Sequence, residues 1–583
     1  MRVLRLQFVN TVNYLRIAAE AAFENVFFSA NAAALKPYQR GRRRIRKRFR
    51  NVGPTRDLWS RQMSVETSCR SSVGTQIPRV TTASFDVTMV GKAPLTALHH
   101  SLLCLMQSPI CGASRPSASA WVPPPRRVTR VGLGLLVALF IWFAAPAAQV
   151  QAQGFGVYEQ GACAMARAGA TVAQGCGDGS SLYFNPANIV DNEGLVISAG
   201  ATMVAAGGDY TSGLTGNVSE LQNDPIYVPH AFATYEINES TAAGLGVYVP
   251  YGLATEWRPT FEGAFEGYDS GVQSIYVQPT IAMSDGRLSI GGGPIVAISS
   301  VELNQRQDLS QQEASPGTYF SQLGVPHHTA FVDVKLEGHN AIGFGANIGA
   351  TFDVNDQLSI ATRFTTPVRV TFDGDATFTQ IETGIVLPDG TGIDGILAQT
   401  QFAEGSGTLI DQSIETEITF PSQLIFGVSY DATADLTVLA DYQWTRWSSL
   451  GAIPLDFEKD ALDTTRELNY EDTHGVRLGA QYDVADNVEA RAGFIYNTAA
   501  APAATVTPLL PENDRTHYTV GLGYRPADSF EINAAYQYLG QADRAGRVRD
   551  VRPGENVDSL ADLNEGLYSF DAHLVGLTLT VHL

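Results

Sequence analysis

From residue 195 to residue 583 the side chains alternate between apolar and small or polar, and this most limits what the chain can become. Val476, Leu478, Ala480 and Tyr482 enclose Arg477, Gly479 and Gln481. Val488, Ala490, Ala492, Phe494 and Tyr496 follow, with Glu489, Arg491 and Gly493 between them and Ile495 alone out of step. Tyr518, Val520, Leu522 and Tyr524 repeat the pattern around Thr519, Gly521 and Gly523. The last run places Val575, Leu577, Leu579, Val581 and Leu583 opposite Gly576, Thr578, Thr580 and His582. A period of two is a strand with one apolar face, and no long helical period competes with it.

The connections come in two kinds. Six are short, at 236–240, 284–286, 353–356, 431–435, 483–486 and 525–528, and each carries Asp, Asn, Gly, Ser or Pro, which suit tight turns. Between them lie long stretches at 303–337, 375–415, 449–471 and 540–570. Short turns at one end and long loops at the other are the habit of outer-membrane barrels. Six strand pairs and one strand at each end make 14, an even number that leaves both chain ends on the short-turn, periplasmic side. No unpaired edge survives in lipid, so the sheet must close. The expected fold is all-β: a 14-stranded antiparallel transmembrane β-barrel over 195–583. Tyr235, Phe352, Tyr430, Tyr482 and Tyr524 each precede a short turn on the apolar face, as an inner aromatic girdle would. A soluble sandwich would have to cover that face with a second sheet, and does not account for the one-sided loops.

Charge divides the chain. The net charge is −20, yet residues 1–152 carry 21 Lys and Arg against 5 Asp and Glu. At the boundary, Arg126, Arg127 and Arg130 precede the apolar run 131–145, then Pro146 and small residues ending Val150-Gln151-Ala152. This reads as a signal peptide at 126–152, because the run is shorter than the ~20 residues of a spanning helix. The mature chain is expected to begin near Gln153. Residues 1–125 are expected to be a non-native extension from a misassigned start, with Val128 as a candidate initiator. The basic run Arg42 to Arg48 resembles a nucleic-acid patch, but an exported protein meets no nucleic acid, and none is expected as a partner. Of five cysteines, Cys69, Cys104 and Cys111 fall in the extension. Cys163 and Cys176 remain as a near pair in an oxidising compartment, which favours a disulfide. Two thiols are too few for zinc; two free thiols are the open alternative.

Residues 153–194 do not alternate and are rich in Gly and Ala, so they are expected to lie inside the barrel as a plug. Here Gly154-Phe155, Glu159, Arg167-Ala168-Gly169, Asp178 and Tyr183-Phe184-Asn185-Pro186-Ala187 resemble the start of the FadL family of long-chain fatty acid transporters. So does the run from Gly244 to Trp257, and, less specifically, the stretches from Leu510 to Arg515 and from Gly521 to Tyr524. The resemblance covers about 153–583. It implies a 14-stranded barrel with an N-terminal hatch whose movement releases ligand, for which Phe155, Arg167, Asn185, Pro186 and Ala187 are the candidates. It also implies sideways release beside the third strand. On that strand Gly244 and Gly246 lack side chains to pack, and Pro250, next to Tyr251, cannot donate to a ladder. The other reading of the glycines is that they make room for the plug. The chain departs from the family at Gly263-Ala264-Phe265, where Gly-Arg-Tyr is common, and at its terminal Leu583, where Phe is usual. Leu583 keeps the apolar parity, so recognition by the barrel-assembly machinery is still expected.

The expected cargo is a hydrophobic small molecule, a long-chain fatty acid or alternatively an aromatic hydrocarbon. A fatty acid needs an apolar pocket and a cation for its carboxylate. By parity Arg363, Arg477 and Arg491 face the lumen, while Arg306 and Lys335 fall in the connection 303–337. Arg477, Arg491 and Lys335 are the candidate ligand contacts; pairing with lumen acids is the competing reading. There is no G-x-S-x-G nucleophile motif and no metal-binding histidine spacing, so neither an enzyme nor a cofactor is expected. A monomer among outer-membrane lipid and lipopolysaccharide is expected. An adhesin or structural barrel is the reading from another class. Apolar loop residues Ile385-Val386-Leu387, Ile393, Ile396 and Leu397 favour ligand capture over adhesion, and a plug argues against an open porin.

Overall fold

The computed structural model describes residues 154–213, 215–388, 390–548 and 565–583. The expected signal peptide and N-terminal extension lie outside the described residues. The barrel strands are β1 (Leu195–Gly207), β2 (Ile226–Asn238), β3 (Thr241–Glu256), β4 (Asp269–Ser284), β5 (Leu288–Asp308) and β6 (Ala330–Asn355). β7 runs in two pieces (Leu358–Thr365, Val368–Gln380), as does β8 (Gln412–Phe420, Gln423–Thr433). β9 (Leu436–Thr445), β10 (Thr473–Ala485), β11 (Val488–Asn497), β12 (Arg515–Ala527), β13 (Phe530–Gln541) and β14 (Asp571–His582) complete them. Each pairs antiparallel with its neighbour, and β1 pairs with both β2 and β14, closing a 14-strand barrel. Both breaks stand at prolines, Pro367 and Pro421, which have no N–H for a ladder.

The alternation sorts outside from inside as lipid requires. Val575, Leu577 and Leu579 are exposed, while Gly576, Thr578 and Thr580 between them face inward and are buried. The girdle residues Tyr235, Phe352, Tyr430, Tyr482 and Tyr524 are all exposed on the outer wall. The strands reach further than the alternation indicated. β5 continues to Asp308 and β6 starts at Ala330, so only 309–329 joins them, and Arg306 and Lys335 stand on strands and not in a loop. The connection 381–411 carries a helix at Ile393–Thr400, and 449–471 a small hairpin of Ala452–Phe457 with Thr464–Glu467.

Residues 154–192 run inside the wall. They form the short helices α1 (Ala162–Ala166) and α2 (Ser181–Phe184) and a 3-10 turn at Pro186–Asp191; α3 (Ile393–Thr400) lies in the outer connection. Their backbone is held by inward-facing polar side chains from around the barrel. Thr578 accepts from the Ala162 N–H at 2.9 Å, and Asp441 from those of Thr171 and Val172 at 3.1 and 3.2 Å. Gln278 donates to the Leu182 carbonyl at 2.7 Å, and Thr519 to that of Ala166 at 2.9 Å. A buried irregular segment needs such partners for every backbone group. Wall glycines let it approach: a Cβ on Gly493 would stand 2.6 Å from the Ala168 Cβ, and one on Gly479 2.6 Å from the Arg167 carbonyl oxygen.

Candidate functional site

The proline of Asn185-Pro186-Ala187 opens the 3-10 turn, and the Asn185 side chain accepts from the Ala187 N–H at 3.1 Å. Its amide donates to the Val172 carbonyl at 2.7 Å and to the Thr351 hydroxyl of β6 at 2.8 Å. Asn185 therefore binds two parts of the internal segment to each other and to the wall. Arg167 is buried and donates to the Gln174 carbonyl at 3.2 Å and to the Cys176 sulfur at 2.8 Å. Cys176 is joined to Cys163 in a disulfide that closes this loop on itself. The Phe155 ring is held edge-on by Trp447 at 4.8 Å and by Tyr251 and Phe420, each at 6.3 Å.

The wall is interrupted beside β3. The β2–β3 ladder runs from the turn to Ala231↔Val247 and stops. The β3–β4 ladder slips between Tyr248 and Tyr251, leaving Val249 and Pro250 unpaired there. The free edge of β3 is covered instead from inside. The Val157 N–H donates to the Pro250 carbonyl at 2.8 Å, the Gly252 N–H to that of Phe155 at 3.1 Å, and the Gln160 amide to that of Val249 at 2.7 Å. Gly244 and Gly246 lie on the paired half of the strand, where a Cβ would crowd Leu182 of α2 at 2.8 and 3.4 Å. These glycines make room for the internal segment, and the interruption begins at Tyr248.

Two cavities flank the Phe155 ring, and both touch Phe155, Leu253, Val272 and Leu510. The outer one holds about 140 Å³ and is largely apolar, with Leu336, Phe372, Ile418 and Leu455 in its lining. Its charged groups include Arg466 and Arg547, which bind the Glu266 carbonyl and carboxylate, each at 3.1 Å. The inner one holds about 350 Å³, within the range of small-molecule sites. It runs from His517 of β12 to Val228 and Val249 on either side of the interruption and to Tyr227, half-exposed on the outer wall. The loop 498–514 roofs both through Leu510. There Glu512 accepts from the Ala500 and Ala501 N–H groups at 2.8 and 2.7 Å, and Asp514 from that of Ala499 at 3.0 Å. Burial raises the pKa of both carboxyls, Asp514 to about 7.

The structure does not bring Arg477, Arg491 and Lys335 together at either cavity. Arg477 is buried, donates to Gln443 at 2.6 Å and lies 4.5 Å from the Tyr158 ring centre. Arg491 is buried on Glu489, Asn533 and Gln481. Lys335 bridges Glu302 at 3.3 Å and Glu337 at 2.8 Å. Arg515 and His517, which do line the inner cavity, were missed although both stand in alternating positions of β12; parity places them inward but does not show that a cavity lies in front of them.

Residues 143–582 match the family model of outer membrane transport proteins described as OMPP1/FadL/TodX. A 47 kDa outer membrane protein of Pasteurella multocida is 26% identical over 67% of this chain and 86% of its own length. A long-chain fatty acid transport protein of Escherichia coli is 22% identical over 70% of this chain and 91% of its own. Among solved structures, a Pseudomonas aeruginosa FadL homologue superposes with a TM-score of 0.63 at 19% identity, covering 74% of this chain and all of that one (100%). The Pseudomonas putida toluene transporter TodX superposes at 0.52 with 14% identity, over 75% and 99%. At these identities the structural likeness speaks for the fold.

Proposed function

The chain belongs to the OMPP1/FadL/TodX family of outer-membrane channels for hydrophobic substrates, and from that premise we propose that it takes up long-chain fatty acids, holds them behind an internal hatch and releases them sideways into the bilayer. The observation that carries this reading is the inner cavity, which extends from the lumen to the stretch where β2 and β3 do not pair. A long alkyl chain resists water by about 0.8 kcal/mol per CH₂, so a path opening on lipid spares it the aqueous periplasm. Residues 154–192 act as the hatch. Phe155 stands between the two cavities, and 155–160 cover the free β3 edge, so displacing this stretch both joins the cavities and clears the interruption.

The test is to close the wall. With Val228→Cys and Val249→Cys joined by a short thiol cross-linker, the folded channel in vesicles should lose most oleate delivery and recover it when the link is cleaved. Undiminished delivery through the linked channel would exclude exit at this place.

A further inference from the structure

The inner cavity carries a polar end that its apolar lining does not explain. Arg515 and His517 project into it from alternating positions of β12. His517 is 5% exposed, and its tautomer follows from its neighbours. The Gln537 amide nitrogen stands 2.7 Å from a Glu159 carboxylate oxygen and 2.9 Å from His517 Nδ1. A carboxylate only accepts, so Gln537 must turn its NH₂ toward it, and the second amide hydrogen then points at Nδ1. Nδ1 is the acceptor, and the proton of the neutral ring is on Nε2. That Nε2–H is buried and has no partner among the described residues. Nor has the Nε–H of Arg515. The one side-chain hydrogen bond of Arg515 is a long one, 3.3 Å, to the Gly154 carbonyl, and among the described residues it makes no ion pair within 4.0 Å. Its face lies 5.5 Å from the Phe570 ring centre.

Neither nearby acid hydrogen-bonds to these donors. Glu159 accepts from Gln537 and from the Tyr158 N–H at 2.9 Å; Glu512 takes two backbone N–H groups of the loop above on Oε1, while its buried Oε2 makes no hydrogen bond among the described residues and its charge acts on Arg515 only from beyond 4.0 Å. Two buried donors, one of them a guanidinium, thus face a largely apolar cavity with no acceptor within hydrogen-bond reach among the described residues, an arrangement that is costly unless something occupies it.

We propose that Arg515 and His517 form the head-group subsite of the inner cavity, and that its ligand carries a carboxylate at the end of an apolar chain. This rests on the reading of the inner cavity as the substrate path and deepens it by choosing between cargo classes. An aromatic hydrocarbon offers the two donors only the weak acceptor of its ring face, whereas a fatty acid presents two carboxylate oxygens to them and lays its chain along Leu539, Leu574 and Val228 toward the interruption. Since Arg515 also donates to Gly154, an arriving carboxylate competes with the contact that ties the hatch terminus to β12.

The experiment measures binding of oleate, oleyl alcohol and toluene to the purified full-length barrel, for the wild type, Arg515→Gln, Arg515→Lys and His517→Leu. The wild type should prefer oleate to oleyl alcohol. Arg515→Gln should weaken oleate about ten- to a hundred-fold, the span of hydrogen bonds to charged groups, and leave the alcohol and toluene unchanged. Arg515→Lys should retain most of the oleate preference, and His517→Leu should lose part of it. If Arg515→Gln does not fold, the same selective loss in His517→Leu supports the subsite. Equal losses for all three ligands, or no loss for oleate, overturn it while the uptake reading stands. If the wild type binds none of the three, both fall together.

Discussion

Phe155→Ala tests the step on which the proposed hatch release depends. The ring makes edge contacts with Trp447, Tyr251 and Phe420, and aromatic pairs of this kind contribute about 0.5–1.5 kcal/mol each beyond the area they bury. Removing three of them weakens the seat of the stretch 154–157 by about 1.5–4.5 kcal/mol. Two backbone hydrogen bonds to β3, at 2.8 and 3.1 Å, and the Gln160 contact at 2.7 Å remain in the variant, so it keeps its closed position but opens more often. At about 1.4 kcal/mol per decade, the open population should rise roughly ten- to a thousand-fold. The side-chain loss also joins spaces of about 140 and 350 Å³ that the ring now separates. The assay is entry of a fluorescent fatty acid into vesicles carrying the folded barrel, with protease cleavage near residue 155 as an independent measure of opening. Faster entry together with faster cleavage is expected. Faster cleavage with unchanged entry would mean that Phe155 anchors the segment but does not gate the path, and no change in either would refute the reasoning.

Breaking the Cys163–Cys176 bond, by reduction or by Cys176→Ser, should release a loop whose closure is worth about 3 kcal/mol in chain-entropy terms, and protease should then cut within 163–176; equal resistance with and without the bond would deny it that role. Gly493→Val places carbon within 2.6 Å of the Ala168 Cβ and 2.8 Å of its nitrogen, so a thiol probe at position 168 should become accessible, whereas Gly451→Ala, with nothing within 4 Å, should change nothing. Burial raises the Asp514 carboxyl to about 7, so the folded loop binds its proton more tightly than the unfolded chain does. Loop stability should therefore be highest below about pH 4 and fall as pH rises to about 7. Protease nicking of 498–514 should rise over that interval in the wild type and rise less in Asp514→Asn, where Glu512 is the raised carboxyl that remains; parallel profiles would show that another group sets the dependence.

Much of the architecture was legible because lipid imposes a local rule. A strand between hydrocarbon and lumen must alternate, so residues such as Val575 and Thr578 announce their faces one at a time, and the turns between them can be counted to 14 strands. The stretch around Asn185-Pro186-Ala187 stood out by breaking that rule, and the lumen is where the structure places it. What the alternation could not contain is what stands in front of each inward residue. Arg477, Arg491 and Arg515 all occupy inward positions, yet the first packs on Tyr158, the second pairs with Glu489, and only the third faces a cavity with a donor to spare. Gly244 and Gly246 marked β3 as unusual, but their smallness answers to Leu182, some 60 residues away in sequence, and the ladder fails only beyond Val247. Parity is set residue by residue by the solvent on either side of the wall. Register, cavities and unsatisfied donors arise where separate segments meet, and only the closed barrel with its filled lumen decides them.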